Sequence, residues 1–279
     1  MVDTTVAAPG LRQIGDSRFG QLAKKAAPGL SFVVPNKLGR VVSIYLDILQ
    51  GKGSGTGWDM SGEAVADSSV LRGIVNPVIL DGGANYGQWA RALDAVLIGR
   101  EATYFLFEPQ RACQEALSQL NMQNVTVVEA ALGEKPGEVV LSADVPGSAV
   151  ASVYERHESY FGDVSAHHER VAMVTLDDTI IDHKIDRVDL LKLDIEGAEL
   201  TALKGASKSL SSGVIRAVAF EFGSANIYSR TFFRDFWDLL TPFGFRFARV
   251  LPGGRLLHIK HYSEEHEHFR GVSNYLTRR

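Results

Sequence analysis

The segment that most constrains this chain is Val78-Ile79-Leu80-Asp81-Gly82-Gly83-Ala84-Asn85-Tyr86-Gly87. Three apolar residues run into an acid, and a glycine-rich turn then opens a helical pattern. Glycine permits positive φ and lets backbone approach a ligand closely. An acid at the carboxyl end of a buried strand lies where open α/β sheets bind ligands. The spacing is Asp-x-Gly-x-x-x-Gly, which is neither the dinucleotide Gly-x-Gly-x-x-Gly nor the P-loop pattern. No Lys or Arg follows in the turn to hold phosphates. The turn suits a ligand with a ribose or an amino group and no phosphate, and S-adenosylmethionine (SAM) is the leading candidate.

From Val78 onward strand and helix patterns alternate. Strands are expected at 78–81, 103–108, 125–129, 188–194 and 217–222, and helices at 85–97, 109–120, 199–210 and 230–240. A hairpin turning at 133–137 is expected, with its second arm at 139–141. A second hairpin flanks Pro252-Gly253-Gly254, and 273–277 reads as a last edge strand. Repeated strand–helix units imply a mostly parallel sheet covered on both faces. Before Val78, residues 1–16 read as loosely attached. Residues 31–36 read as an extended piece, 41–49 fit both helix and strand, 51–57 form a glycine loop, and 62–73 form a short helix.

Each of the five strands ends in an acid: Asp81, Glu108, Glu129, Asp194 and Glu221. Any one of them could cap the next helix. Five together are hard to explain by stability, because clustered like charges repel. Glu108 lies where an acid can hydrogen-bond both ribose hydroxyls, which also fits NAD. In the fourth strand Lys192, Asp194 and Glu196 alternate and share a face while the chain stays extended. A charged face on a central strand is costly unless it meets a ligand, a partner charge or water. Glu199 reads as an acid in the first turn of the next helix.

The run Leu190-Leu191-Lys192-Leu193-Asp194-Ile195-Glu196-Gly197-Ala198-Glu199, followed by Leu203-Lys204-Gly205-Ala206, resembles the signature of the FkbM family of SAM-dependent methyltransferases. The opening turn, Phe107-Glu108-Pro109, Ala131-Leu132-Gly133, Thr175-Leu176-Asp177-Asp178 and Asn274-Tyr275-Leu276 are similar to further motifs of that family. Residues 1–75 match none of them. The resemblance implies an α/β, Rossmann-like, seven-stranded class I methyltransferase sheet. It would be mostly parallel with an antiparallel C-terminal edge, and would carry an N-terminal extension. It implies that Asp81, Gly83, Asn85 and Gly87 surround the methionine part of SAM. Glu108 would hold the ribose, Glu129, Ala130 and Ala131 would lie near the adenine, and Asp194 near the sulfonium and the acceptor.

Transfer to a hydroxyl needs a base. Candidates are Asp194, Glu196, Glu221 and the insert histidines His157, His167 and His168, with Lys192 orienting an acceptor or neutralising its acidic neighbours. Asp194 and Glu221 could also hold Mg²⁺, but two ligands are too few to assign a metal site. The expected domains are an N-terminal extension over 1–75, serving as a lid or oligomer contact, and a methyltransferase domain over 76–279. The insert at 142–170 and the extension are the expected acceptor-binding parts, with Tyr154, Tyr160 and Phe161 as candidate pocket aromatics. The acceptor is expected to be a small molecule in natural-product or sugar tailoring. N- or carboxyl-methylation and a non-catalytic SAM-binding regulator are the alternatives.

The 279 residues carry a formal charge of −4, with 45% hydrophobic and 22% charged residues, as in ordinary soluble domains. That balance argues against a nucleic-acid partner. Cys113 is the only cysteine, so no intramolecular disulfide is expected. With neither a leader pattern nor a membrane-length apolar run, the expected setting is cytoplasmic. A homodimer is left open.

Overall fold

The computed structural model describes residues 17–33, 35–53, 62–159 and 162–279. The expectations for residues 1–16, for 54–57 of the glycine loop and for Tyr160 and Phe161 lie outside the described residues.

Two helices lead the chain, α1 (Arg18–Val33) and α2 (Asn36–Leu49). The ambiguous 41–49 run is therefore helical. Among the described residues of 31–36 no strand forms. Helix α1 runs through Val33, and Pro35 makes the extended step before α2, at φ −56° and ψ 135°. Leu38, Val41, Val42, Tyr45, Leu46 and Leu49 recur at helical spacing and are exposed. Arg270 Nε meets Asp47 at 2.7 Å and ties α2 to the body. Helix α3 (Glu63–Ser68) buries Ala64, Ala66 and Asp67, as the 62–73 pattern predicts.

The parallel core opens with β1 (Val78–Gly82), α4 (Gln88–Val96), β2 (Thr103–Phe107), α5 (Arg111–Ser118) and β3 (Val125–Val128). Helix α4 begins three residues later than its apolar pattern predicts. Asn85 at φ 48° and Gly87 at φ 74° hold left-handed turn conformations that a helix cannot include.

Next come β4 (Ala131–Leu132), β5 (Gly137–Ala143), β6 (Arg156–Ser159), β7 (Gly162–Val164) and β8 (His167–Val174). The hairpin expected around 133–137 is not formed. Strand β8 lies between β4 and β5, parallel to the first and antiparallel to the second. The insert is thus largely a small sheet plus the β6–β7 hairpin. The sequence reads as extended from Val171 to Leu176, and strand β8 begins four residues earlier, at His167-His168-Glu169-Arg170, where apolar alternation is lost.

The order continues with α6 (Leu176–Asp182), β9 (Leu190–Leu193), α7 (Glu199–Lys204), α8 (Ser207–Ser212) and β10 (Ala217–Gly223). The helix expected over 199–210 is two helices. The Asp177 carboxylate accepts from the Lys208 and Ser209 amides and starts α8 afresh. Helix α6, which carries Asp177, is itself capped by Thr175 Oγ1, which accepts from the Asp178 amide at 3.0 Å. The chain ends with α9 (Ala225–Ser229), α10 (Phe233–Leu240), β11 (Arg246–Leu251), β12 (Arg255–Ile259) and β13 (Val272–Arg278).

The main sheet has eight strands, one more than expected, in the order β12-β11-β13-β10-β9-β1-β2-β3. The run from β3 to β10 is parallel. The expected closing edge strand, β13, is interior: it pairs antiparallel with both β10 and β11, and β12 forms the edge. One sheet face carries Leu80, Leu191, Leu193, Phe220 and Phe222 against Phe233 and Phe236. The other carries Ile79, Leu190 and Ala219 against Trp89 and Leu93. Phe220 stacks on Phe236 at 4.5 Å and on Tyr275 at 5.5 Å. Phe220→Ala should lower unfolding free energy by about 3–5 kcal/mol, read as a fall in the urea midpoint.

Candidate active site

Alternation along the strands decides what faces the ligand edge. On the Ile79–Leu190–Ala219 face, each strand continues two residues on into a polar group. Asp81 follows Ile79, Lys192 follows Leu190 and Glu221 follows Ala219. Asp81 and Lys192 are register partners on adjacent strands. Lys192 is only 3% exposed. Its Nζ lies 2.9 Å from Asp194 Oδ2, 3.6 Å from Glu63 on α3, and 5.4 Å from the Trp89 ring centre. Burial works against its charge, but Asp194, Glu63 and Asp81 together raise its pKa well above the usual lysine range. Lys192 therefore neutralises its acidic neighbours, one of the two roles open to it from sequence.

Both Asp81 carboxylate oxygens are buried and have no hydrogen-bond partner among the described residues. Burial pushes this carboxyl up to about 7. The turn that follows is held by glycine. Gly83 lies at φ +85°, and a Cβ there would stand 1.9 Å from the Asp194 carbonyl oxygen. Only glycine lets the β1 turn and the end of β9 approach this closely. Glu108 follows β2. Its carboxylate accepts from the Asn85 and Gln110 amides, both at 2.8 Å, so it braces the turn it faces.

These elements enclose a cleft that opens to solvent. Of the residues expected at the cofactor, Gly83, Asn85, Glu108, Ala130, Ala131 and Asp194 line it. Asp81 and Gly87 stand behind the lining. Glu129 is exposed and is not part of the wall. The remaining wall is largely apolar: Phe107, Pro109, Leu132, Leu141, Ile195 and Ala198. The insert supplies Ser148, Ala149, Ala151 and Val153, so it closes the same cleft. Asn85 Nδ2 and Gln110 Nε2 donate to the Ser148 carbonyl at 3.4 and 2.9 Å.

Beyond Asp194 the chain turns sharply. Glu196 sits at φ 53°, a strained conformation for a non-glycine residue. The Glu199 carboxylate holds the turn by accepting from the Ile195 and Gly197 amides at 3.0 and 3.1 Å. The expected helix-start acid thus braces the loop that carries Glu196. Glu196 is 7% exposed and pairs with Arg156 at 2.8 Å. Burial still raises its carboxyl to about 8, and burial raises Glu199 to about 7. Oxygens of Asp194, Glu196 and Glu221 all lie within 4.8 Å of one another. Glu221 is half-buried, and burial together with Asp194 and Glu196 raises its carboxyl well above the usual range.

The histidines do not join this group. The His157 side chain is 64% exposed and meets Asp163 and Ser165, and His168 meets Glu155. Tyr154 is half-buried outside the cleft wall. Arg156 was not foreseen: in a polar insert it reads as a solvated charge, and only the fold shows it fully buried against Glu196. Gln110, directly after the Phe-Glu-Pro motif, carried a positional signal at most. Cys113 is buried, and burial holds its thiol up at about 12, so it takes no part as a thiolate.

A phosphate-free glycine turn above a parallel sheet, with a carboxylate after the second strand, defines an α/β domain for a nucleoside-type methyl donor. The chain belongs to the FkbM family of SAM-dependent methyltransferases: the model of the methyltransferase FkbM domain matches residues 81–247. Its cofactor is SAM. The residues present fit that group, since Asp81 offers a buried, unpartnered carboxylate beside the turn and the cleft wall is largely apolar. Methyltransferase sdnD of Sordaria araneosa is 29% identical over 161 residues, which cover 48% of this chain and 61% of that protein. The chain thus spans less than two thirds of that relative's length. The FkbM methyltransferase of Methylobacillus flagellatus KT is similar at a TM-score of 0.45 and 19% identity, covering 75% of this chain and 45% of that one. The plantazolicin methyltransferase BpumL, solved with SAH, gives 0.41 and 12%, covering 92% and 96%. No helix among the described residues is long and apolar enough to cross a membrane.

Burial moves Asp81, Glu196 and Glu199 up from ordinary values of 3.8 and 4.5 to about 7, 8 and 7. The folded chain then binds more protons than the unfolded one between those limits, so stability falls as pH rises through them. The urea midpoint of the ligand-free protein should drop between pH 5 and pH 8. Asp81→Asn should flatten that drop.

Proposed function

We propose that this protein transfers a methyl group from SAM to a hydroxyl of a small molecule bound at the carboxyl ends of β9 and β10. One observation carries the reading: Asp194 belongs both to the cofactor cleft and to the carboxylate group with Glu196 and Glu221. An acceptor held by that group lies at the mouth of the cofactor cleft. The preference for a hydroxyl in natural-product or sugar tailoring rests on the FkbM resemblance.

SAM supplies a methyl group on a sulfonium, already activated for in-line displacement. The chain's residues bind, align and take a proton. By the FkbM resemblance Asp81 would receive the cofactor's amino group from behind the cleft wall, and Glu108 would accept from the ribose hydroxyls while its own backbone bonds hold it in place. Ala130 and Ala131 form the base-facing wall. Alignment of this kind is worth on the order of 7–11 kcal/mol. A carboxylate of the Glu196–Glu221 pair takes the hydroxyl proton. SAM, when bound, would supply the methyl group to the acceptor oxygen, and the proton released there would stay on that carboxylate. Raised carboxyl pKa values suit such a base near neutral pH.

Calorimetry with SAM, SAH and NAD tests the cofactor. SAM and SAH should bind and NAD should not, and NAD binding without SAM binding overturns the reading. Glu108→Ala should weaken SAM by about tenfold or more, the scale of hydrogen bonds to a charged group. With an acceptor in hand, Glu221→Gln should lower kcat by about 10²–10⁴-fold with SAM affinity kept, the usual range for a lost general base. kcat/KM should rise with pH towards a plateau above about 8, the value for Glu196.

A further inference from the structure

We propose that Asp194, Glu196, Glu221 and Asn274 form a binding site for a hard divalent cation such as Mg²⁺ or Mn²⁺. Three observations meet at this place. Carboxylate oxygens of the three acids lie within 4.8 Å of one another, roughly two cation–oxygen distances of about 2.3–2.6 Å, and a smaller cation with ligands at about 2.0–2.1 Å would draw them in slightly. Their charges are only partly compensated. Lys192 engages one oxygen of Asp194 and Arg156 one oxygen of Glu196, while no ion pair reaches Glu221 among the described residues.

The third observation is independent of the acids. Asn274 is 5% exposed, and its side-chain Oδ1 is buried with no hydrogen-bond partner. In the antiparallel ladder of β10 and β13 it stands directly opposite Glu221. Opposite residues of such a pair project from the same face, with Cβ atoms about 4.5–5.5 Å apart. A buried amide oxygen left unsatisfied is costly, and a cation beside Glu221 would satisfy it. Three carboxylates and an amide oxygen are an all-oxygen donor set. It selects Mg²⁺, Mn²⁺ or Ca²⁺ over metals that prefer nitrogen or sulfur. The site deepens the functional reading and rests on it in one respect: the cation lies where the acceptor hydroxyl is placed.

The test is a titration of the full-length protein with Mn²⁺, followed by electron paramagnetic resonance, without SAM or acceptor. One saturable Mn²⁺ per chain, displaced by Mg²⁺, is expected. Glu221→Gln and Asn274→Ala should each weaken Mn²⁺ by about tenfold or more, while Asn274→Asp, which keeps an oxygen donor, retains binding. SAM affinity, measured separately on each variant, checks folding and the cofactor assignment. A wild-type protein that binds SAM but shows no saturable Mn²⁺ overturns the proposal and leaves the methyltransferase reading standing. So does Mn²⁺ binding unchanged in both Glu221→Gln and Asn274→Ala. Saturable Mn²⁺ that responds to the variants, in a protein that ignores SAM, supports the cation site and sinks the cofactor reading instead.

Discussion

The site depends on one buried ammonium. Lys192 stands on a central strand with Asp194 at 2.9 Å, Glu63 at 3.6 Å and Asp81 as its register partner. The attraction between such charges grows as water is excluded, and so does the cost of leaving any of them alone. Lys192 lets acids from α3, β1 and the end of β9 share one small volume. It also joins the N-terminal part of the chain to the ligand edge, because Glu63 lies outside the strand–helix repeat. Trp89 covers the ammonium from α4, so a cation, an aromatic ring and three acids hold four elements in register.

Much of this was legible before any coordinates. The parallel strands were recognisable because buried strands write themselves as short apolar runs, and all five acids at their ends were visible. Glycine spacing limited the ligand, since Gly83 is the residue that permits contact with β9. Gaps in the reading have physical causes. Strand β8 opens with four polar residues because one small sheet, not the main core, receives it. Strand β13 looks like an edge because its Ser, Asn and Thr residues imitate a solvated strand, yet they lie buried beside β10 and β11. The split between α7 and α8 comes from Asp177, more than twenty residues upstream, which no local pattern can report. Glu129 has the right position in the sequence, but β3 ends one residue before it and leaves it exposed.

Charge partners were the least legible part. Nothing in the sequence links Arg156 to Glu196 across forty residues, and nothing marks Glu199 as the brace of the turn between them. Both act on a residue whose backbone is strained at φ 53°. The strain persists because Glu199, Arg156 and the Ser152 hydroxyl on the Glu196 carbonyl over-determine the loop. The Glu196 carboxylate is thus positioned by residues from three other places in the chain.

The insert contacts have a mechanical meaning. Ser148 is held from the β1 turn and from the start of α5, while Ser152 and Arg156 grip the Glu196 turn. Residues 148–156 therefore form one clasp with two jaws, one on the donor side of the cleft and one on the acid cluster. Both jaws are carried by the same nine residues, so the two sets of contacts are linked through a short stretch of backbone. The residues that close the cleft are therefore also the ones that hold the Glu196 turn.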